Sequence, residues 1–183
     1  SVCVGSTITL LSSPSGGVWR SGDTTVAVID SVTGDVTGRV AGIDTIYYTL
    51  STGCNVFTVI TINPLPSPIV GPDSMCVGDS ARVYISFPSG GTWSSSNTGI
   101  ATVVAGTGVV TGVASGIPIL TYMLGTGCYA TTSTLTVNPS PNAITGSNTV
   151  CTGYTTSLTQ TIAGGTWSSS NPALGSVSTG GVV

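Results

Sequence analysis

Hydrophobic and polar residues alternate along several short stretches of the chain. The clearest are ARVYISF at 81–87, IATVVA at 100–105, ILTYML at 119–124 and TTSTLTVN at 131–138. A period of two places apolar side chains on one face of a β-strand. Gly, Ser and Pro separate these stretches at the spacing typical of a β-sandwich. The pattern therefore predicts an all-β fold built from short strands.

The pattern repeats along the chain. The octapeptide GGTWSSSN begins at Gly90 and again at Gly164, and a looser version, GGVWRSGD, begins at Gly16. The same offset of 74 residues relates further landmarks, namely Trp19, Trp93 and Trp167, Ala27 and Ala101, Gly38 and Gly112, Tyr48 and Tyr122, and Cys54 and Cys128. Repetition at this period predicts tandem copies of one small unit.

Proline-rich joins mark the boundaries between these units. NPLPSP at 63–68 and NPSP at 138–141 each follow an alternating apolar run. Proline removes a ladder donor and ends a strand, and a short proline-rich join acts as a semi-rigid spacer. We predict repeat 1 at 1–66, repeat 2 at 67–140 and repeat 3 at 141–183. The third is expected to be incomplete, its C-terminal part missing, with export and anchoring segments outside this window.

The composition agrees with an all-β chain. Only 5% of the residues are charged, against about a quarter in an average protein. Ser and Thr together number 57, Gly numbers 26, and Lys, Glu and His are absent. Such a mixture is poor in helix formers and rich in β-branched and turn residues.

The same composition excludes several functions. Without His, Lys or Glu the chain lacks the usual general bases, so we predict no enzyme activity and no cofactor. Three Arg and a pI near 4.1 exclude nucleic acid as a partner. The six Asp are scattered, which disfavours a calcium loop. No apolar run is long enough for direct membrane insertion.

The cysteines recur once at the start and once near the end of each complete unit. Matched spacing predicts one disulfide per domain, Cys3–Cys54 and Cys76–Cys128, with the partner of Cys151 missing. A loop of that length would stabilise a unit by roughly 4 kcal/mol. The absence of His and of CxxC excludes a zinc site. Disulfides imply an oxidising compartment, while reduced, buried cysteines are the alternative.

Each unit carries a single Trp, preceded by Gly-Gly. We predict that Trp19, Trp93 and Trp167 anchor the cores of small sandwiches, because a large aromatic side chain supplies much of the apolar area a small core needs. An array of exposed Trp side chains that stack on sugars is the functional alternative.

The second unit resembles a known family. Its WSSSN-x-x-IATV pattern, followed by TGVVTGVASG and TY, is similar to the bacterial immunoglobulin-like domain, group 2. The resemblance covers all three units and is strongest in 92–122, whereas the cysteine pair departs from the commonest form of the family. It implies tandem immunoglobulin-like β-sandwiches on a large bacterial surface protein or adhesin, and it implies no particular ligand.

Five of the six Asp are followed by Ser or Thr and then by an apolar residue or Thr. This tripeptide resembles the O-glycosylation sequon of one large group of Gram-negative bacteria. The candidate acceptors are Thr24, Ser31, Thr45, Ser74 and Ser80. The alternative is an Asp-Ser or Asp-Thr turn, in which the carboxylate bonds its own backbone.

These observations predict a non-catalytic structural stalk on the extracellular surface of a bacterium, which holds a distal binding region away from the cell. Its partners would be the neighbouring repeats of the same chain. The alternative is a filament or sheath subunit that self-associates laterally, or a module that binds surface glycans, because weakly charged surfaces tend to associate.

Overall fold

A computed structural model describes residues 1–80, 82–84, 86–132 and 134–183. All the regular secondary structure in these residues consists of β-strands, which confirms the all-β prediction. None of the described residues forms a helix with the length and hydropathy that a membrane crossing requires.

Seven strands form a first sandwich from the N-terminal third of the chain. They are β1 (Val2–Cys3), β2 (Thr7–Thr9), β3 (Val18–Ser21), β4 (Ala27–Ile29), β5 (Asp35–Gly38), β6 (Gly42–Thr49) and β7 (Asn55–Asn63). One sheet has the order β1-β7-β6-β3 and the other β2-β5-β4. All pairings are antiparallel except that of β1 with β7, which is parallel. The sets β2-β5-β4 and β7-β6-β3 have the strand order of an immunoglobulin-type sandwich, with β1 paired to β7 instead of β2.

The core of the first sandwich lies between its two sheets. The alternating burial along β6 shows why, since every second side chain of this strand is buried. The buried side chains come from both sheets: Val2, Trp19, Ala27, Val36, Ile46, Tyr48, Ile60 and Ile62.

Eight further strands form a second sandwich of the same order. They are β8 (Ser74–Cys76), β9 (Arg82–Val83), β10 (Thr92–Ser95), β11 (Ala101–Val103), β12 (Val109–Gly112), β13 (Leu120–Met123), β14 (Tyr129–Thr131) and β15 (Thr136–Asn138). Their sheets are β10-β13-β14, β11-β12-β9 and β15-β8.

Two predicted strands differ in detail from the structure. The alternation predicts one strand over 131–138, but β14 ends at Thr131 and β15 begins at Thr136, with Ser133 outside the described residues. Together β14 and β15 take the place that β7 fills alone in the first sandwich. The stretch 81–87 contains β9, while Ala81 and Ile85 lie outside the described residues.

The two cores are built from corresponding residues. Each buried side chain of the first core has a counterpart 73 to 75 positions later. The second core contains Met75, Trp93, Ala101, Val110, Leu120, Tyr122, Leu135 and Val137, with Tyr84 in addition. In both cores a Tyr ring packs on the Trp ring, at 4.6 Å between centroids for Trp19 and Tyr48 and 4.8 Å for Trp93 and Tyr122.

The last stretch of the chain has less regular structure. It contains the antiparallel pair β16 (Thr145–Gly146) and β17 (Leu158–Thr159). Trp167 is half-buried and lines an open apolar cleft with Ile144, Leu158 and Ile162. The third tryptophan is therefore less enclosed than Trp19 and Trp93, which are 9% and 6% exposed.

Candidate functional site

A disulfide joins the two sandwiches. It links Cys3, at the end of β1, to Cys128, just before β14, and the two Cα atoms are 5.7 Å apart. The two cysteines are 125 positions apart in the sequence, and each belongs to a different sandwich. Cys128 is fully buried there.

Backbone pairing places Cys3 at this junction. In the parallel pair of β1 and β7, Cys3 lies opposite Asn63, the last residue of β7. The N–H of Val4 donates to the carbonyl of Asn63 at 3.0 Å. The same carbonyl lies 3.9 Å from the Sγ of Cys128. Cys3 therefore sits where the chain leaves the first sandwich, facing the sandwich that follows.

The predicted pair Cys3–Cys54 was wrong, and the register of β7 explains why. Cys54 precedes the first residue of β7, whereas Cys3 lies beside the last. Nine residues of extended chain separate Cys54 from Asn63, which is about 30 Å at 3.3 Å per residue. A disulfide needs Cα atoms within about 7 Å. The two cysteines of one unit lie at opposite ends of it.

The predicted pair Cys76–Cys128 was wrong for the same reason. Cys76 lies opposite Asn138, the last residue of β15, while Cys128 lies in the turn before β14. Cys128 bonds Cys3 instead, and the thiols of Cys54, Cys76 and Cys151 are free and exposed. One disulfide is present in the described residues, but it lies between units rather than within one.

The segment between the sandwiches adds polar contacts to the junction. Ser67 donates its N–H to the carbonyl of Phe87 at 2.7 Å and accepts the N–H of Phe87 on its Oγ at 2.8 Å. The hydroxyl of Ser86 donates to the carbonyl of Ser67 at 2.8 Å. Three hydrogen bonds thus hold this segment against the second sandwich, close in sequence to Pro66, whose side chain is buried.

Two of the Asp tripeptides form the turn that was the alternative to glycosylation. The hydroxyl and the N–H of Thr25 both donate to the carboxylate of Asp23 and hold its pKa below the usual range. The N–H groups of Thr33 and Val32 lower the pKa of Asp30 in the same way. Both carboxylates therefore stabilise their own turns.

A third Asp of this set is structural. Asp44 is 3% exposed, and it accepts hydrogen bonds from the Ser21 hydroxyl at 2.7 Å and from the N–H of Asp23 at 2.8 Å. Thr45 follows it in the middle of β6 and is half-buried. The other four candidate acceptors are exposed: Thr24, Ser31, Ser74 and Ser80.

The outer face of the first sandwich carries exposed aromatic and aliphatic side chains. Phe57 is 68% exposed and its ring lies 6.2 Å from that of Tyr47, across the pair β6–β7. The guanidinium of Arg20 lies 5.2 Å from the centre of the Tyr47 ring. Val59, also exposed, extends the face along β7. Thr121 and Thr131 take the places of Tyr47 and Phe57 in the second sandwich.

The metal-ligating side chains of the described residues are scattered. Within the described ranges, no three His, Cys, Asp or Glu side chains lie close enough together to hold a metal ion. The site that stands out in the described residues is therefore the junction itself, where a covalent bond and a hydrogen-bonded segment connect two immunoglobulin-type β-sandwiches.

Among known proteins, the matches to this chain are solved structures. No family model and no curated protein matches the chain. The solved structures that it resembles include domains 4 and 5 of the S-layer protein SbsC, at 21% identity over 67% of this chain and 70% of that one, with a TM-score of 0.29. A C-terminal intimin fragment, solved with the intimin-binding domain of its translocated receptor, has 15% identity, 76% and 58% coverage, and a TM-score of 0.42. Murine CEACAM1b has 11% identity, 76% and 95% coverage, and a TM-score of 0.30.

These likenesses are too distant to transfer a function. All three identities are below 25% and all three TM-scores are below 0.5. The chain also spans only 58% of the intimin fragment. The class that the strand order defines is a β-sandwich protein of immunoglobulin type. Membership of the bacterial immunoglobulin-like group 2 family stays a prediction from the sequence.

Proposed function

We propose that this chain is a non-catalytic stalk of a bacterial surface protein, in which small sandwiches stand in a row and hold a binding region away from the cell. The observation that carries the proposal is the disulfide between Cys3 and Cys128, because it fastens one sandwich to the next. The units of the stalk would be 1–66, 67–140 and 141–183.

Two connections between neighbouring units suit a stalk better than one. A single linker lets two domains reorient, and such motion is the default expectation for small interfaces. Here the polypeptide between Asn63 and Ser74 forms one connection and the disulfide forms a second. A bond at a second point fixes the relative orientation of the units and resists separation under load.

The chemistry of the chain supports an extracellular location and an inert role. A disulfide between domains persists in oxidising compartments such as the periplasm or the cell exterior. The described side chains bring no His, Lys or Glu near a nucleophile, since the sequence has none. We propose O-glycans at Ser74 and Ser80, which are the exposed candidate acceptors outside the turns at Asp23 and Asp30.

Residues 141–183 are proposed to be the first part of a third unit. Gly181 and Trp167 approach each other as Gly108 and Trp93 do in the second sandwich. The cleft beside Trp167 lies where Tyr122 covers Trp93. Strands equivalent to β13, β14 and β15 would close this cleft and complete the third core.

A second function is favoured by the outer face of the first sandwich. The exposed Phe57 ring and the half-buried Tyr47 ring beside it can stack on sugar rings or on aromatic rings of another copy, and Arg20 beside Tyr47 adds a hydrogen-bond donor. This face would bind surface glycans or associate laterally between copies. The group of Arg20, Tyr47 and Phe57 is found in the first unit, since Ser94, Thr121 and Thr131 occupy the same places in the second.

Electron microscopy of the oxidised chain in negative stain, at increasing protein concentration, tests the stalk against lateral association. We expect isolated thin rods at every concentration. Ordered bundles would contradict the stalk and favour the filament. The variant Phe57→Thr, which gives the first unit the residue found in the second, separates the two further: bundles that disperse in this variant assign association to the aromatic face.

A further inference from the structure

Three exposed thiols are left over once Cys3 and Cys128 have paired. The five cysteines of the chain fall into two structural classes. We call Cys3, Cys76 and Cys151 leading cysteines, because each is the first cysteine of its unit. We call Cys54 and Cys128 hairpin cysteines, because each is the last residue of a turn between two antiparallel strands, β6 and β7 in the first unit and β13 and β14 in the second.

The two hairpin cysteines occupy the same turn. In the first unit the N–H of Leu50 donates to the carbonyl of Cys54 at 2.9 Å, and Gly53, at φ +87°, donates to Leu50 at 2.9 Å. In the second unit Leu124, Gly127 and Cys128 make the same two bonds at 2.9 Å, with Gly127 at φ +86°. Cys54 is thus held in the backbone geometry from which Cys128 forms its disulfide.

The leading cysteines also share one geometry. Cys3 lies opposite Asn63 in a parallel strand pair, and Cys76 lies opposite Asn138 in another. The carbonyl of Cys3 accepts the N–H of Ser6 at 3.0 Å, and that of Cys76 accepts the N–H of Asp79 at 3.1 Å. The carbonyl of Cys151 accepts the N–H three residues on, from Tyr154, at 3.0 Å.

A pocket beside Cys54 provides an independent observation. It is lined by Ser12, Ser13 and Pro14 together with Cys54. In the second sandwich the residues equivalent to Ser12 and Ser13 are Ser86 and Phe87, and these hold Ser67 of the preceding segment by three hydrogen bonds. The pocket therefore matches the place where the segment from a preceding unit lies in the bonded junction.

We propose that the free cysteines bond further units of the same kind, so that every unit is linked by a disulfide to both of its neighbours. Cys54 would take the leading cysteine of a preceding unit, and Cys76 the hairpin cysteine of the following one. The inference rests on the proposed stalk and adds its pattern of covalent bonds. It extends to Cys54 and Cys76 the pairing that Cys3 and Cys128 already show.

The chemistry of each bond is a two-electron oxidation. Two thiols lose two protons and two electrons and form one S–S bond. A dithiol oxidoreductase in its disulfide form accepts the electrons by thiol–disulfide exchange and becomes a dithiol. One equivalent of oxidised dithiol is consumed per junction, and the exposed thiols of Cys54 and Cys76 are accessible to it.

A fusion that adds a copy of residues 67–148 to the N-terminus, directly before Ser1, tests the proposal on Cys54. This fusion keeps the natural 13-residue spacing between Asn138 of the copy and the next cysteine. After oxidation in a glutathione buffer, non-reducing peptide mapping is expected to find Cys54 bonded to the copied Cys76, with Cys3–Cys128 intact and Cys151 alkylated. The matched control replaces the copied Cys76 by Ser and should restore alkylation of Cys54.

A second fusion tests Cys76 independently and guards against misfolding of the first. Residues 111–140 are appended after Val183, which completes the third unit and supplies a copy of Cys128. We expect a bond from Cys76 to the copied cysteine. The inference alone would be overturned if Cys54 is alkylated or bonded elsewhere in the first fusion, or Cys76 in the second, in chains that retain Cys3–Cys128. Loss of Cys3–Cys128 itself would instead overturn the observation that carries the proposed stalk.

Discussion

Tyr48 packs its ring against Trp19, and its phenol group forms hydrogen bonds with the loop that precedes Trp19. The N–H of Gly17 donates to the phenol oxygen at 2.7 Å, and the phenol donates to the carbonyl of Pro14 at 2.9 Å. Tyr122 makes the same pair of bonds with Gly91 and Pro88, at 2.8 and 2.6 Å. One residue therefore joins core and loop in both sandwiches.

Replacing Tyr122 by Phe should destabilise the second sandwich by about 1 to 3 kcal/mol, because Gly91 and Pro88 lose their hydrogen-bond partner. The measurement is urea unfolding followed by circular dichroism. Tyr154→Phe is the control, since Tyr154 is 76% exposed, and it should leave the midpoint unchanged. An equal loss in both variants would refute the role of the buried phenol.

Gly91→Ala should destabilise the second sandwich, although it adds only one methyl group. A Cβ on Gly91 would lie 2.5 Å from Cζ of Tyr122 and 2.7 Å from the carbonyl oxygen of Met123. Overpacking of this kind costs about 1 to 3 kcal/mol. At Gly106 a Cβ meets nothing within 4 Å, so Gly106→Ala should be neutral or slightly stabilising. Thermal unfolding of both variants measures the difference, and equal melting temperatures would contradict the close approach.

The turn at Asp30 predicts a loss of stability in acid. Its pKa is lowered by the N–H groups of Thr33 and Val32, so the carboxylate stabilises the fold above the ordinary aspartate pKa of about 3.9. The contribution is lost as the pH falls through the lower, folded value. We expect the urea midpoint to be constant from about pH 7 to 5 and to fall below about pH 4.

The variant Asp30→Asn isolates this turn. It should reduce the acid-induced fall, and Asp23→Asn should reduce it further, because Asp23 has a lowered pKa for a similar reason. Urea midpoints at neutral and acid pH measure the effect. A fall of the same size in the double variant and the parent would assign the acid sensitivity to other groups.

Reduction should lengthen the chain greatly when it is stretched from its two ends. The disulfide removes the 125 positions between Cys3 and Cys128 from the path of the force. At about 3.3 to 3.6 Å per residue, reduction would release about 410 to 450 Å of extension. Single-molecule stretching with and without a reductant tests this. Cys128→Ser should extend fully in both conditions, whereas Cys54→Ser should behave as the parent.

O-glycosylation is tested by the mass of the protein from its native host. We expect sugar increments on Ser74 and Ser80, which are exposed, and none on Thr45, which is half-buried within β6. Peptide mapping locates them. A native mass equal to that of the bare polypeptide would show that the Asp tripeptides are turns alone.

Local patterns predicted much of the fold. Alternation identified strands at β11 and β13, and the 74-residue offset found the tryptophans and tyrosines that occupy the two cores. These features depend on neighbouring residues, which a sequence displays directly. The split between β14 and β15 was missed because Thr131 and Thr136 belong to one β-prone stretch with no Gly or Pro between them.

The pairing of the cysteines could not be obtained in this way. Cys3 faces the next unit because the two-residue strand β1 runs parallel to the end of β7, and such a short strand has no periodicity to detect. Regular spacing fits bonds within a unit and bonds between units equally well. Only the three-dimensional register, with Cys3 opposite Asn63 and Cys54 at the far end of β7, distinguishes them.

The bond between Cys3 and Cys128 also closes a covalent ring through both sandwiches. A protease that cuts once within this ring, for instance beside Leu11, which is 91% exposed, opens the ring but releases no fragment. Exposed loops are the usual sites of such nicks. A chain built in this way keeps its two ends connected after a cut that would separate domains joined by a linker alone.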